Sequence, residues 1–132
     1  MKKTIIIHIL IISLLFSCSP NRINLEATNK IKIEKLIPNY LKLETWVFQE
    51  GKNLLILGEL TSESRLSQSI YGHVHVTIET PKGEDFASEV LYLRLIPTFR
   101  MRIPHHGTFQ FVLPKIPPEG SLLTVKYDVA RH

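Results

Sequence analysis

The sequence predicts an all-β fold, an antiparallel immunoglobulin-like β-sandwich of seven or eight strands. Three observations predict it. Apolar residues recur at every second position in most segments after Lys30. Gly- and Pro-rich turn signals separate those segments every ~8–12 residues. No segment holds a sustained 3.6-residue period, so the crossover helices that a βαβ sheet needs are not visible. A chain of 132 residues has room for one such domain.

The chain opens differently. Lys2 and Lys3 precede Ile5–Phe16, which is apolar apart from His8 and Ser13. A charged start, a short apolar run and small residues after it describe a secretory signal helix that is cleaved. The run is shorter than the ~20 apolar residues of a membrane span. Residues 1–17 are therefore expected to leave. Net charge then drops from +4 by the two lysines, to +2. A nearly neutral exported domain with no basic, aromatic-interleaved stripe is not a nucleic-acid binder. Cys18 is the only cysteine. That excludes an internal disulfide and a multi-Cys zinc site. Ser19–Asn29 is polar and aperiodic, and residues 18–29 read as a tether with a reach of about 36–40 Å. The folded domain is expected over residues 30–132.

Within it, Ile31 and Ile33 alternate with Lys32 and Glu34. Leu41, Leu43, Thr45 and Val47 alternate with Lys42, Glu44, Trp46 and Phe48. Gln49–Lys52 makes a hairpin loop with Gly51, and Asn53–Leu60 is a nearly continuous apolar run of the kind a buried strand carries. Thr61–Ser69 is a polar loop. Val74, Val76 and Ile78 form the next inward set. Thr80-Pro81-Lys82-Gly83 has the residue order of a type I turn. Phe86–Ile96 and Phe99–Ile103 are two further strands, and Pro104–Gly107 turns the chain. Phe109, Phe111 and Leu113 face one side, Pro114–Gly120 is a loop, and Leu123, Val125, Tyr127 and Val129 line the last strand. Prolines fall between strands, as ladder hydrogen bonding requires.

Reaction signatures are missing from the sequence: no G-x-S-x-G, no S-x-x-K and no glycine-rich phosphate loop. An enzyme is not expected. Five histidines follow Cys18. His73 and His75 lie two apart on a predicted strand, with Cβ atoms about 7 Å apart on its outward face. With His105 and His106 at a predicted turn they make a candidate copper or zinc site, since neutral imidazoles ligate both ions. Scattered surface histidines are the preferred reading, because extended neighbours such as His105 and His106 point apart. Arg94, Arg100 and Arg102 form the most basic stretch, read as a solvated face. Trp46, Phe48 and Tyr71 are placed in the core in preference to an exposed patch.

The end of the signal segment resembles the lipobox of bacterial lipoproteins. Leu15 matches the aliphatic position, Ser17 the small residue before the cleavage point, and Cys18 the lipidated cysteine. Phe16 is bulkier than the usual residue there. The resemblance implies a diacylglyceryl thioether on Cys18, and palmitate-like acyl chains that anchor it. Ser19 after the cysteine implies the outer membrane, facing the periplasm, over the inner. The mature region is similar, through Gly58-Glu59-Leu60 and the phrase Phe109–Pro114, to secretion-pilotin-like β-sandwich lipoproteins. That similarity implies a binding or escort role toward another envelope protein and transfers no functional residue. The expected function is thus a lipid-anchored escort module. The alternatives are an envelope copper- or zinc-binding protein, and a structural outer-membrane component without a small ligand.

Overall fold

A computed structural model describes residues 21–62, 69–96 and 105–130. The predicted signal helix, Cys18 and the predicted strand Phe99–Ile103 lie outside the described residues. Eight strands are present: β1 (Arg22–Asn24), β2 (Ile31–Leu36), β3 (Leu41–Glu50), β4 (Asn53–Ser62), β5 (Ile70–Glu79), β6 (Asp85–Leu95), β7 (His105–Leu113) and β8 (Ser121–Val129). They form two four-stranded sheets, ordered β1-β3-β4-β7 and β2-β8-β5-β6. The all-β sandwich predicted from period-two patterning is the fold observed.

Alternation decides which residues meet between the sheets. Leu43 and Val47 of β3, Leu54, Ile56 and Leu60 of β4, and Phe109 and Phe111 of β7 are buried. They face Val74, Val76 and Ile78 of β5, Leu93 and Leu95 of β6, and Leu123, Val125 and Tyr127 of β8 in one core. Each full burial of such a side chain contributes about 1.5–3 kcal/mol before chain entropy is charged against it. The β3–β4 hairpin turns on Gly51, whose φ of +62° suits the first central position of a two-residue turn. The β5–β6 turn closes with Gly83 N–H donating to the Thr80 carbonyl at 2.9 Å, as its Pro-x-Gly order predicts.

The structure corrects three expectations. The sheets are not wholly antiparallel, because β2 pairs with β8 in parallel, Ile31 opposite Ser121. The crossover rule constrains strands close in sequence, and these two are separated by nearly the whole domain. Second, the segment read as tether is partly folded. Arg22, Ile23 and Asn24 pair with Glu50, Gln49 and Phe48. Leu25 enters the core and is only 3% exposed. The Asn24 side-chain oxygen then accepts from Glu26 N and Ala27 N, which turns the chain toward β2. One buried leucine and a capped turn outweigh the polar composition around them. Third, His105 and His106 belong to a strand: they stand opposite Ser62 and Thr61 of β4.

On each side of the sandwich one lysine bridges the two sheets. Lys35 of β2 donates to the Leu43 carbonyl of β3 at 3.1 Å. Lys115, just past β7, donates to the Phe86 carbonyl of β6 at 2.8 Å. At the other end of that side Ile96 and His106 exchange backbone hydrogen bonds. Edge carbonyls occupied in this way are poor templates for a foreign strand.

Two core residues make predictions. The Thr45 hydroxyl is buried and, among the described residues, has no hydrogen-bond partner. An unpaired buried hydroxyl carries its desolvation cost without return, so Thr45→Val should raise stability by about 1 kcal/mol, read as a higher urea midpoint at unchanged slope. Tyr127 is nearly fully buried, and its hydroxyl donates to the Leu93 carbonyl at 3.0 Å. Burial first, then the neighbouring Tyr40 and Tyr92, pushes its pKa up to about 12 from 10.0. The folded chain therefore holds this proton more tightly than the unfolded chain. Stability from this group is complete below about pH 10 and falls as pH rises through 12, by on the order of 2 kcal/mol. Urea titrations across that range should show the decline, and Tyr127→Phe should flatten it.

Candidate functional site

The outer face of the β1-β3-β4-β7 sheet is built by the residues whose neighbours fill the core. On β3 these are Lys42, Glu44, Trp46 and Phe48; on β4, Leu55, Leu57, Glu59 and Thr61; on β7, His106, Thr108, Gln110 and Val112. Register sets them in rows. Trp46 stands opposite Leu57, which stands opposite Gln110; Phe48 stands opposite Leu55, and Leu55 opposite Val112. The centre of this face is thus apolar. Leu55 is buried although it points away from the core. Trp46 is 38% exposed and Val112 53%.

The relief of the face follows from the side chains. Indole and glutamine flank the shorter Leu57, leaving a shallow hollow of about 350 Å³ lined by Trp46, Leu57, Gly58, Glu59, Thr108, Phe109 and Gln110. Beside it, sharing Gln110, lies a second of about 260 Å³ with Arg22, Glu50, Asn53, Leu55 and Val112. Polar and charged side chains sit at the rim in contacting pairs. Arg22 Nε meets Glu50 Oε2 at 3.1 Å, with its guanidinium 5.8 Å from the Phe48 ring centre. His106 Nε2 and Glu59 Oε1 are 2.9 Å apart, and Lys42 Nζ lies 3.4 Å from Glu44 Oε1. An apolar centre with a polar rim is the anatomy of a protein–protein contact surface.

The opposite outer face, on β2-β8-β5-β6, has another character. His73 and His75 both point outward there, as alternation predicts, with ring centres 6.3 Å apart. His75 Nε2 lies 3.3 Å from Asp128 Oδ2, and Lys126 Nζ lies 3.6 Å from Asp128 Oδ1. The Tyr92 ring stands edge-on to His73 at 5.5 Å. Arg94 donates to the Ser69 hydroxyl at 3.1 Å and lies 5.4 Å from the Tyr71 ring centre.

The predicted site residues therefore separate. His73 and His75 share one outer face, while His106 lies on the other, bonded to Glu59. The sheets between them pack about 10 Å apart, so a four-histidine centre is not assembled. No group of three or more His, Cys, Asp or Glu arranged to hold a metal occurs among the described residues. The His105 side chain and Cys18 lie outside them. Trp46 and Phe48, placed in the core on size and apolarity, face outward because Leu43 and Val47 hold the inward phase of β3. Tyr71 is on the other face and does not join them. Leu57, Gln110 and Val112 carry no motif that would single them out. The signal that finds them is that Asn53–Leu60 is apolar in both phases, so it has an apolar face left over once the core is filled.

Comparison with protein-family models, with curated proteins and with solved structures finds no match to this chain.

Proposed function

We propose that this chain is a lipid-anchored module of the bacterial envelope, attached through Cys18, that binds or escorts another envelope protein through the outer face of its β1-β3-β4-β7 sheet. The observation that carries the reading is the apolar patch of Trp46, Leu55, Leu57 and Val112 left on that face across two adjacent rows, hollowed at its centre and rimmed by paired polar side chains. Trp is the residue type most enriched among binding anchors. The lysine-guarded edges favour docking on this face over strand addition at an edge. The lipobox-like Leu15-Phe16-Ser17-Cys18 supports the anchor.

Cys18→Ala tests the attachment. The variant should appear in the soluble fraction, or keep its unprocessed leader, and should take up no labelled palmitate. A Cys18→Ala protein still membrane-bound and cleaved as the parent would sink the anchor. The docking face is tested by Trp46→Ala, whose loss should strip co-purifying envelope protein from detergent-solubilised complexes.

A further inference from the structure

Resting on the reading of Cys18 as the lipidated residue, we propose that one end of the sandwich lies against the lipid surface. It is the end that carries the β3–β4 turn, the β5–β6 turn and the loop 114–120. Both sheet faces then stand off the bilayer, and the Trp46 face is open to the aqueous side.

The chain is already in the sheet at Arg22, which pairs with Glu50 at the last position of β3. This start is pinned. Leu25 N–H donates to the Val47 carbonyl at 3.0 Å and its side chain is buried, so β1 cannot slide along β3. Read backward from Asn24 to Arg22, the strand runs toward Glu50 and so toward this end. Only three residues separate Cys18 from Arg22, a path of four Cα–Cα steps. Fully extended they reach at most about 14 Å. The ten residues of β3 span roughly 30 Å. The leash is under half the length of the domain, and it starts at one end.

The connections show what else lies there. Leu54 of β4 is opposite Leu113 of β7, and Glu79 is opposite Asp85. Gly120 N–H donates to the Lys30 carbonyl, and Lys115 reaches Phe86. Lys52 and Lys82, both exposed, occupy the two turns at this end. The far end carries Leu36, Tyr40 and Ile96, each about half exposed. Lysines and acids are mixed at the near end, so tether geometry and not net charge sets the orientation.

Quenching by headgroup-labelled lipid tests this on the full-length, lipidated protein in phosphatidylcholine/phosphatidylglycerol vesicles carrying a nitroxide headgroup. The only native cysteine is consumed by the anchor, so Lys52→Cys, Lys82→Cys and Tyr40→Cys each take a single fluorophore. Trp46, the only tryptophan, reports the sheet face without substitution. Labels at 52 and 82 should be quenched severalfold more than the label at 40 or than Trp46, and high salt should leave the ratio unchanged. Trp46 quenched as strongly as position 52 would mean the face lies flat on lipid and overturns the proposal. Equal quenching at 40, 52 and 82 in protein that floats with the vesicles overturns it too. Protein that carries no lipid and does not float overturns the anchor reading itself, a result distinct from both.

Discussion

Gly58→Val should cost the domain about 3 kcal/mol and lower its melting temperature by roughly 10 °C or more. Gly58 and Phe109 are direct partners across β4 and β7, both on the core side. The Phe109 ring lies over the glycine where a side chain would stand. A Cβ added there would fall among ring atoms Cζ, Cε1 and Cε2. The ring has no room to retreat. It is 4% exposed and packs edge-on against Phe111 at 5.8 Å. Overpacking of this kind typically costs 1–3 kcal/mol, and a β-branched chain adds to it. Gly58→Ala should cost about 2 kcal/mol, and Gly58→Ala combined with Phe109→Leu should cost less than the sum of the two single changes. Urea midpoints of the four proteins measure this. A Gly58→Ala protein as stable as the parent would show that the ring does not sit on this position.

On the docking role proposed above, Trp46→Ala should reduce any envelope protein recovered with this chain about tenfold or more, while changing stability by less than about 1 kcal/mol. The contrast arises because the indole lies outside the core. Its inward neighbours Thr45 and Val47 keep the strand packed when it is truncated. A truncated anchor at the centre of a contact surface removes 2 kcal/mol or more of binding. Tyr92→Ala is the control, since Tyr92 is 54% exposed on the opposite sheet. Recovery from cross-linked membranes, normalised to the bait, gives the ratio. Equal loss in both variants would remove the assignment of binding to the β1-β3-β4-β7 face.

These two residues illustrate what was legible in advance. The phase of β3 is written in Leu41, Leu43, Thr45 and Val47, and it puts Trp46 and Phe48 on the opposite side. Size and apolarity argue for the core, yet a strand has only one core side, and the phase prevails. Asn53–Leu60 reads as buried because it is apolar almost throughout. Half of it is: Leu54, Ile56 and Leu60 face the other sheet. Leu55 and Leu57 face outward into the partly covered row between Trp46, Phe48 and Val112. A continuous apolar run therefore marks either a strand covered on both sides or one with a second face to be covered by something else.

The histidines show the opposite limit. Spacing placed His73 and His75 on one outward face, because residues two apart on a strand always share a side. Whether His106 joined them depended on which sheet its strand entered, and pairing of β7 with β4 sent it to the other face.

Period-two patterning, turn residues and the prolines between strands were enough to establish an all-β sandwich and the inward phase of its strands, since those are local properties of the backbone and of apolar burial. Four features were decided only when the strands paired. They are the parallel union of β2 with β8, the capture of Leu25 that turned part of a tether into β1, the separation of the histidines, and the apolar patch on the outer sheet. Each depends on partners distant in the chain, and period-two alternation carries no information about which strand will lie beside which.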